Sequence, residues 1–95
     1  MDKQLEQRID SFLAQHREQL IAHIAELVNI PSVSGPAQGE YIYGPECAQV
    51  LERALAIGRE LGFTPHDHSY RYGTLTYGED TASIGMMAHL DVVPA

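Results

Sequence analysis

The reading turns on the last stretch of the chain, Ile84-Gly85-Met86-Met87-Ala88-His89-Leu90-Asp91-Val92-Val93-Pro94-Ala95. Ser83 to Ala88 is apolar at successive positions, so both faces of an extended segment would be buried there. That is the pattern of an interior strand in a sheet covered by helices on both sides. The spacing predicts a strand over Ala82 to His89, with His89 and Asp91 at its carboxyl end. Ligands of open α/β sheets bind outside the carboxyl ends of the strands. Residues i and i+2 of extended backbone face the same side, so His89 and Asp91 can project into one crevice. An imidazole binds a divalent metal through one nitrogen, and a carboxylate at the other fixes its tautomer and raises its basicity. His-x-Asp is nevertheless a common tripeptide, and a strand-end histidine hydrogen-bonded to a neighbouring carboxylate is the bland alternative.

Working back from this stretch, Gly78-Glu79-Asp80 reads as a turn. Tyr70 to Tyr77 alternates as a half-buried strand interrupted by Gly73. Phe63 to Asp67 is a short strand that Pro65 confines to an edge. A helix precedes it, with Pro45 at its first position, Glu46 complementing the dipole and Gly62 past its end. Its buried stripe is Val50, Leu51, Ala54, Leu55, Ile57 and Leu61, with Phe63 as the contact that accompanies a glycine cap. From Asp2 to Ile30 apolar residues recur at three- and four-residue steps. Such a helix is long, and a break near Asp10-Ser11 would relieve it; Pro31 ends it in any case. Ser32 to Glu40 is a loop by composition. Two helices followed by three strands make an α/β chain. Residues 1–95 read as the N-terminal piece of something larger, because the most apolar segment runs straight off the end.

Composition narrows the partners. Six Lys and Arg against thirteen Asp and Glu give a formal charge of −7, which disfavours phosphate backbones and anionic lipid, so neither nucleic acid nor membrane is expected. No apolar run approaches a bilayer span, and the first residues carry no secretory signal. The single Cys47 rules out an internal disulfide and fits a cytoplasmic protein.

The residues around His89 carry a resemblance. Met86 to Ala95 resembles the first metal-ligand motif of the M20 family of metallopeptidases and deacylases, an apolar strand followed by His-x-Asp-Val-Val-Pro. Leu27-Val28-Asn29-Ile30-Pro31-Ser32-Val33-Ser34 is similar to the end of that family's first helix and the turn after it. Tyr43 to Cys47, Leu61 to Phe63 and Tyr72 to Gly78 look closest to the dipeptidase branch, the PepV-like and Sapep-like enzymes. The resemblance implies that residues 1–95 are the incomplete N-terminal portion of a single metallopeptidase catalytic domain, a three-layer α/β/α domain of the zinc-hydrolase type. It also implies a site with two divalent ions, zinc in the first instance with manganese or cobalt as alternatives. The reaction would be metal-assisted hydrolysis of the amide bond of a small peptide. His89 would ligate one metal and Asp91 would act on it by orienting the imidazole. The family's remaining ligands and general base match nothing before His89, so the 95-residue chain alone is expected to be inactive. A deacylase acting on succinyl-diaminopimelate or acetylornithine would share the motif, and a non-catalytic stand-alone domain is the alternative of another class.

The other candidates have plainer readings. His66-Asp67-His68 could chelate a metal, but a solvated loop suits its polar surroundings better. His16 and His23 read as helix surface, and Cys47 as a small semi-buried residue rather than a reactive thiol. Ser32 and Ser34 flank no nucleophile elbow, and no phosphate loop follows Gly35. Tyr70, Tyr72 and Tyr77 read as strand residues, not a stacking platform.

Overall fold

The computed structural model describes residues 2–79 and 84–95. Three helices, α1 (Lys3–Gln15), α2 (Arg17–Val28) and α3 (Pro45–Glu60), precede two strands, β1 (Thr64–His68) and β2 (Tyr72–Thr76), so the chain is α/β. The Asp2 carboxylate caps α1 by accepting from the Gln4 amide at 2.8 Å, satisfying one of the first-turn donors that a helix leaves orphaned.

The long N-terminal helix does break, but at His16 rather than near Asp10-Ser11. Both the backbone N–H of His16 and its ring Nδ1 reach the Phe12 carbonyl, at 3.0 and 2.8 Å. Its ring also stacks on Phe12 with centroids 4.0 Å apart. The imidazole thus adds a second contact to a carbonyl that already accepts the His16 amide. Asp10 and Ser11 stay helical. Asn29 caps α2 ahead of Pro31, where the proline places the boundary.

Helix α3 begins at Pro45 as expected and closes on a paired cap. The Gly62 amide donates to Arg59 O at 3.0 Å and the Phe63 amide to Gly58 O at 2.9 Å, the two bonds of a Schellman ending. Gly62 has φ +97°, a conformation that a Cβ disfavours. Phe63 packs against Tyr77, with ring centroids 5.4 Å apart.

β1 and β2 form an antiparallel hairpin in which Thr64 faces Thr76 and His68 faces Tyr72. The hairpin lies on α3, and Gly73 marks the close approach: a Cβ there would meet Leu51 Cδ1 at 2.8 Å and Leu55 Cδ2 at 2.9 Å. The hairpin turn carries no glycine. Ser69 and Tyr70 adopt φ +60° and +56°, a conformation costing roughly 1–2 kcal/mol per non-glycine residue. The Asp67 carboxylate offsets part of that by accepting from the Tyr70 amide at 2.8 Å.

Two expectations for this region change. His66 and His68 lie in β1, not in a solvated loop, and their rings stack at 4.3 Å, with Tyr72 stacked on His68 at the same spacing. Of the tyrosines, only Tyr72 is in a strand; Tyr70 sits in the turn and Tyr77 is exposed beyond β2.

The third strand is absent where it can be seen. Residues 84–89 form no strand, and Met87 is 100% exposed. Ala82, Ser83 and Asp80 lie outside the described residues. A strand that is apolar on both faces needs edge partners for its backbone and layers over its faces. Among the described residues nothing supplies either at 84–89.

The buried apolar residues Ala48, Val50, Leu51 and Ile57 all belong to α3. α1 and α2 contribute none, and Leu5, Ile9, Phe12 and Leu20 are exposed. The radius of gyration is 15.8 Å, against about 12 Å for a closed domain of this length. The chain is therefore an open arrangement centred on one helix. Glu26 of α2 and Arg53 of α3 form an ion pair across it, and the Arg53 guanidinium holds the Glu26 carboxyl below its usual range.

Candidate functional site

Downstream of the hairpin the chain returns to the loop that follows α2. Ser32 is the anchor, and its residue is 1% exposed. Its Oγ donates to the Leu90 carbonyl at 2.9 Å, and its own carbonyl accepts from the Val92 amide at 3.0 Å. Val33 and Val92 are bridged in parallel. The Cys47 thiol, in the first turn of α3, also points at the Ser32 carbonyl, 3.6 Å away. Three separate segments therefore meet at one small residue.

His89 and Asp91 lie on the outer side of this junction. The Nδ1 atom of His89 is 3.0 Å from the Asp91 carbonyl oxygen and 3.2 Å from Asp91 Oδ1. A carbonyl oxygen can only accept, so Nδ1 is the donor and carries the ring proton. In the neutral imidazole that leaves the lone pair on Nε2. The side chains are 86% and 59% exposed, so this pair faces outward and is open to a ligand.

A cavity of about 360 Å³ adjoins the pair, bounded by Cys47 and Val50 of α3, Tyr70 and Tyr72 of the hairpin, and His89 and Asp91 themselves. Pockets of several hundred Å³ suit small molecules. Tyr70 forms part of the wall. Its hydroxyl donates to Glu52 Oε1 at 3.0 Å, its ring meets Tyr41 edge-on at 5.0 Å, and the Glu52 bond pushes its pKa up to about 12. Burial pushes the Cys47 thiol up as well, with the carboxylates of Asp91 and Glu46 adding to the effect. A raised thiol is a poor nucleophile at neutral pH, in line with reading Cys47 as a semi-buried residue.

The site residues expected from sequence are thus together in space, although not at the end of a strand. A donor set for a metal is incomplete: among the described residues no group of three His, Cys, Asp or Glu side chains converges. His16, His23, His66 and His68 are remote in the chain and join no such group. In sequence Ser32 reads only as a turn residue and as a serine without a nucleophile elbow, with no part in the site. Its position after Pro31 marks a turn, but nothing local reveals a partner 58 residues away.

Among the described residues no helix is long and apolar enough to cross a membrane. No protein-family model matches the chain, and no solved structure does. Curated sequences do. Proteins named "Putative dipeptidase" from Staphylococcus aureus strains USA300, NCTC 8325 and bovine RF122 are each 31% identical over 83 residues, taking in 85% of this chain. The chain resembles dipeptidases at a distance. It spans 18% of the length of those relatives.

Proposed function

We propose that this chain is the N-terminal segment of a metallo-dipeptidase of the M20 type, in which His89 ligates a divalent ion and Asp91 orients its imidazole. The observation that carries the proposal is the His89–Asp91 contact. With Nδ1 donating to both the carbonyl and the carboxylate of Asp91, Nε2 is left as an outward-facing lone pair. A ligating histidine is commonly held in this way by its second nitrogen. The residues fit one ligand position of a catalytic zinc, which takes about three protein ligands, so the other donors must come from beyond these residues. When bound, such an ion polarises the substrate carbonyl and activates water. Asp91 keeps the proton on Nδ1 and fixes the ring plane. The tyrosine and α3 side chains shape a cavity of a size for a small peptide. The names of the relatives favour a peptide over an N-acyl amino acid as substrate.

The test is made on the gene product carrying this segment, with a dipeptide panel and N-succinyl and N-acetyl amino acids offered in parallel. Dipeptides should be turned over in a zinc- or manganese-dependent manner. His89→Ala should lose metal and activity together, while Asp91→Ala should lose about 10–100-fold, with excess metal restoring only the part due to affinity. A folded His89→Ala protein with full metal and full activity refutes the assignment. Turnover confined to the N-acyl substrates would move the reading to a deacylase.

A further inference from the structure

We propose that Ser32 is the positioning residue of the His89–Asp91 pair, holding the backbone on both sides of Asp91. The inference rests on the metal-site reading of His89 and Asp91, and its test separates the two.

In a parallel ladder, a residue sends its N–H to the carbonyl before its opposite number and receives on its own carbonyl the N–H after it. Ser32 stands in that relation to Asp91. Its carbonyl accepts from Val92, the residue after Asp91, at 3.0 Å. Its amide is not free for the residue before, because the turn after Pro31 commits it to the Ile30 carbonyl at 2.8 Å. The side chain fills the vacant rung, Ser32 Oγ donating to Leu90 O at 2.9 Å. Asp91 is therefore gripped at both neighbouring peptide groups by one residue.

The grip determines what Asp91 offers to His89. Both acceptors for His89 Nδ1, the Asp91 carbonyl and Oδ1, belong to the gripped residue, so their placement follows from the torsions about Asp91. Neither side chain of the pair is packed, since both are largely exposed. Order at this contact has to come from the backbone, and the backbone is held by Ser32, which is almost fully enclosed. The Cys47 thiol ties the same carbonyl to the start of α3, which relates the pair to the cavity wall. A hydroxyl is needed at position 32: alanine cannot make the Leu90 bond, threonine can, and cysteine is close in size to serine but a weak donor.

The experiment uses the 95-residue chain labelled with ¹⁵N-histidine, free of metal, at one fixed pH. The ¹⁵N shifts of the His89 ring give the share of the Nδ1–H tautomer, which fold stability alone does not set. The parent should hold His89 mainly as Nδ1–H, and Asp91→Ala should return it to the free-imidazole mixture. Ser32→Ala should shift it at least halfway towards that mixture, and Ser32→Thr should leave it like the parent. Zinc affinity of the gene product carrying this segment, by competition titration, should fall about tenfold for Ser32→Ala, remain near parental for Ser32→Thr, and depend on His89. If His89→Ala binds zinc as the parent does, the metal reading fails, and the tautomer series still decides the role of Ser32. If His89→Ala weakens binding while Ser32→Ala changes neither tautomer nor affinity, the positioning role is overturned. Should Ser32→Ala not fold, Ser32→Cys replaces it with the same expectations. Exchange of the parent's amides decides independently of any variant: Val92 should exchange at least about tenfold more slowly than Val93, an effect of one native hydrogen bond, and equal rates overturn the grip.

Discussion

Replacing Gly58 by alanine puts two well-measured effects in opposition on the contact that seats the hairpin. Gly58 lies in the last turn of α3 and is buried under β2. A Cβ built there would overlap the Leu75 side chain, coming within 2.5 Å of Cδ1 and closer still to Cδ2. Alanine for glycine inside a helix stabilises by about 1 kcal/mol. Forcing a methyl into an occupied site costs about 1–3 kcal/mol. Leu75 is only partly buried and can swing aside, but the overlap is too close for the smallest cost. About 1.5–2 kcal/mol of that range therefore applies, and the net effect should be a loss of about 0.5–1 kcal/mol, the difference of the two terms. For a chain of this size that is a fall in Tm of about 2–8 °C. Leu75→Ala removes the obstacle. On that background Gly58→Ala should stabilise by the full propensity gain of about 1 kcal/mol, reversing the sign. The assay is urea and thermal unfolding of the four proteins of the double-mutant cycle, followed by helical circular dichroism. If Gly58→Ala stabilises the parent as much as it stabilises the Leu75→Ala background, the coupling is zero. The hairpin then does not sit on α3 at that point, and the wall it gives to the cavity is lost with it.

Two further outcomes concern the raised acids. In an absorbance titration of the phenolates, parent minus Tyr70→Phe should show a step centred at about 12. Glu52→Gln should bring that step down, and a Tyr70 step indifferent to Glu52 would contradict the hydrogen bond. The Cys47 thiol lies above its ordinary 9.0 in the folded chain, so on going alkaline the unfolded chain releases this proton first. Its contribution to stability is therefore intact below about pH 8.5 and declines as pH rises towards the folded value. Cys47→Ala should flatten that part of the stability profile, and an unchanged slope would refute the shift.

The helices were legible because their signals are local. Pro45 and Gly62 bracket α3 in sequence as they do in space, and Pro31 closes the N-terminal helical region. The break at His16 was not, since the three- and four-residue spacing of apolar side chains runs on through it. Neither the break nor the fold-back of its imidazole onto the Phe12 carbonyl is encoded in that spacing. The hairpin strands followed from the change of period after Gly62. Their turn was hidden, because Ser69 and Tyr70 are not the residues that left-handed backbone prefers, and their cost is offset by the Asp67 carboxylate. The segment before His89 shows a different limit. Its apolar pattern states what surroundings it requires, two neighbours and two covering layers, and the described residues do not provide them. A pattern of that kind predicts an environment, and a strand forms only where the environment is present.

The candidate site divides along the same line. Asp91 is two residues from His89, so the sequence alone puts them within reach of each other, and the contact forms even though no strand precedes it. Ser32 is 58 residues from Leu90, and its part depends on a peptide N–H already committed to Ile30, a fact that only the folded backbone reveals. The pair can be read from a tripeptide, but the residue that keeps the pair in register cannot. The consequence for the chemistry is specific. His89 and Asp91 are exposed and carry little packing of their own, so whatever rigidity a ligand position requires must be supplied through the backbone. A side chain buried for that purpose, making its bonds to main-chain atoms alone, would look in sequence like any loop serine. Ser32 has that burial and those bonds, which makes it a sharper test of the site than either of the residues it serves.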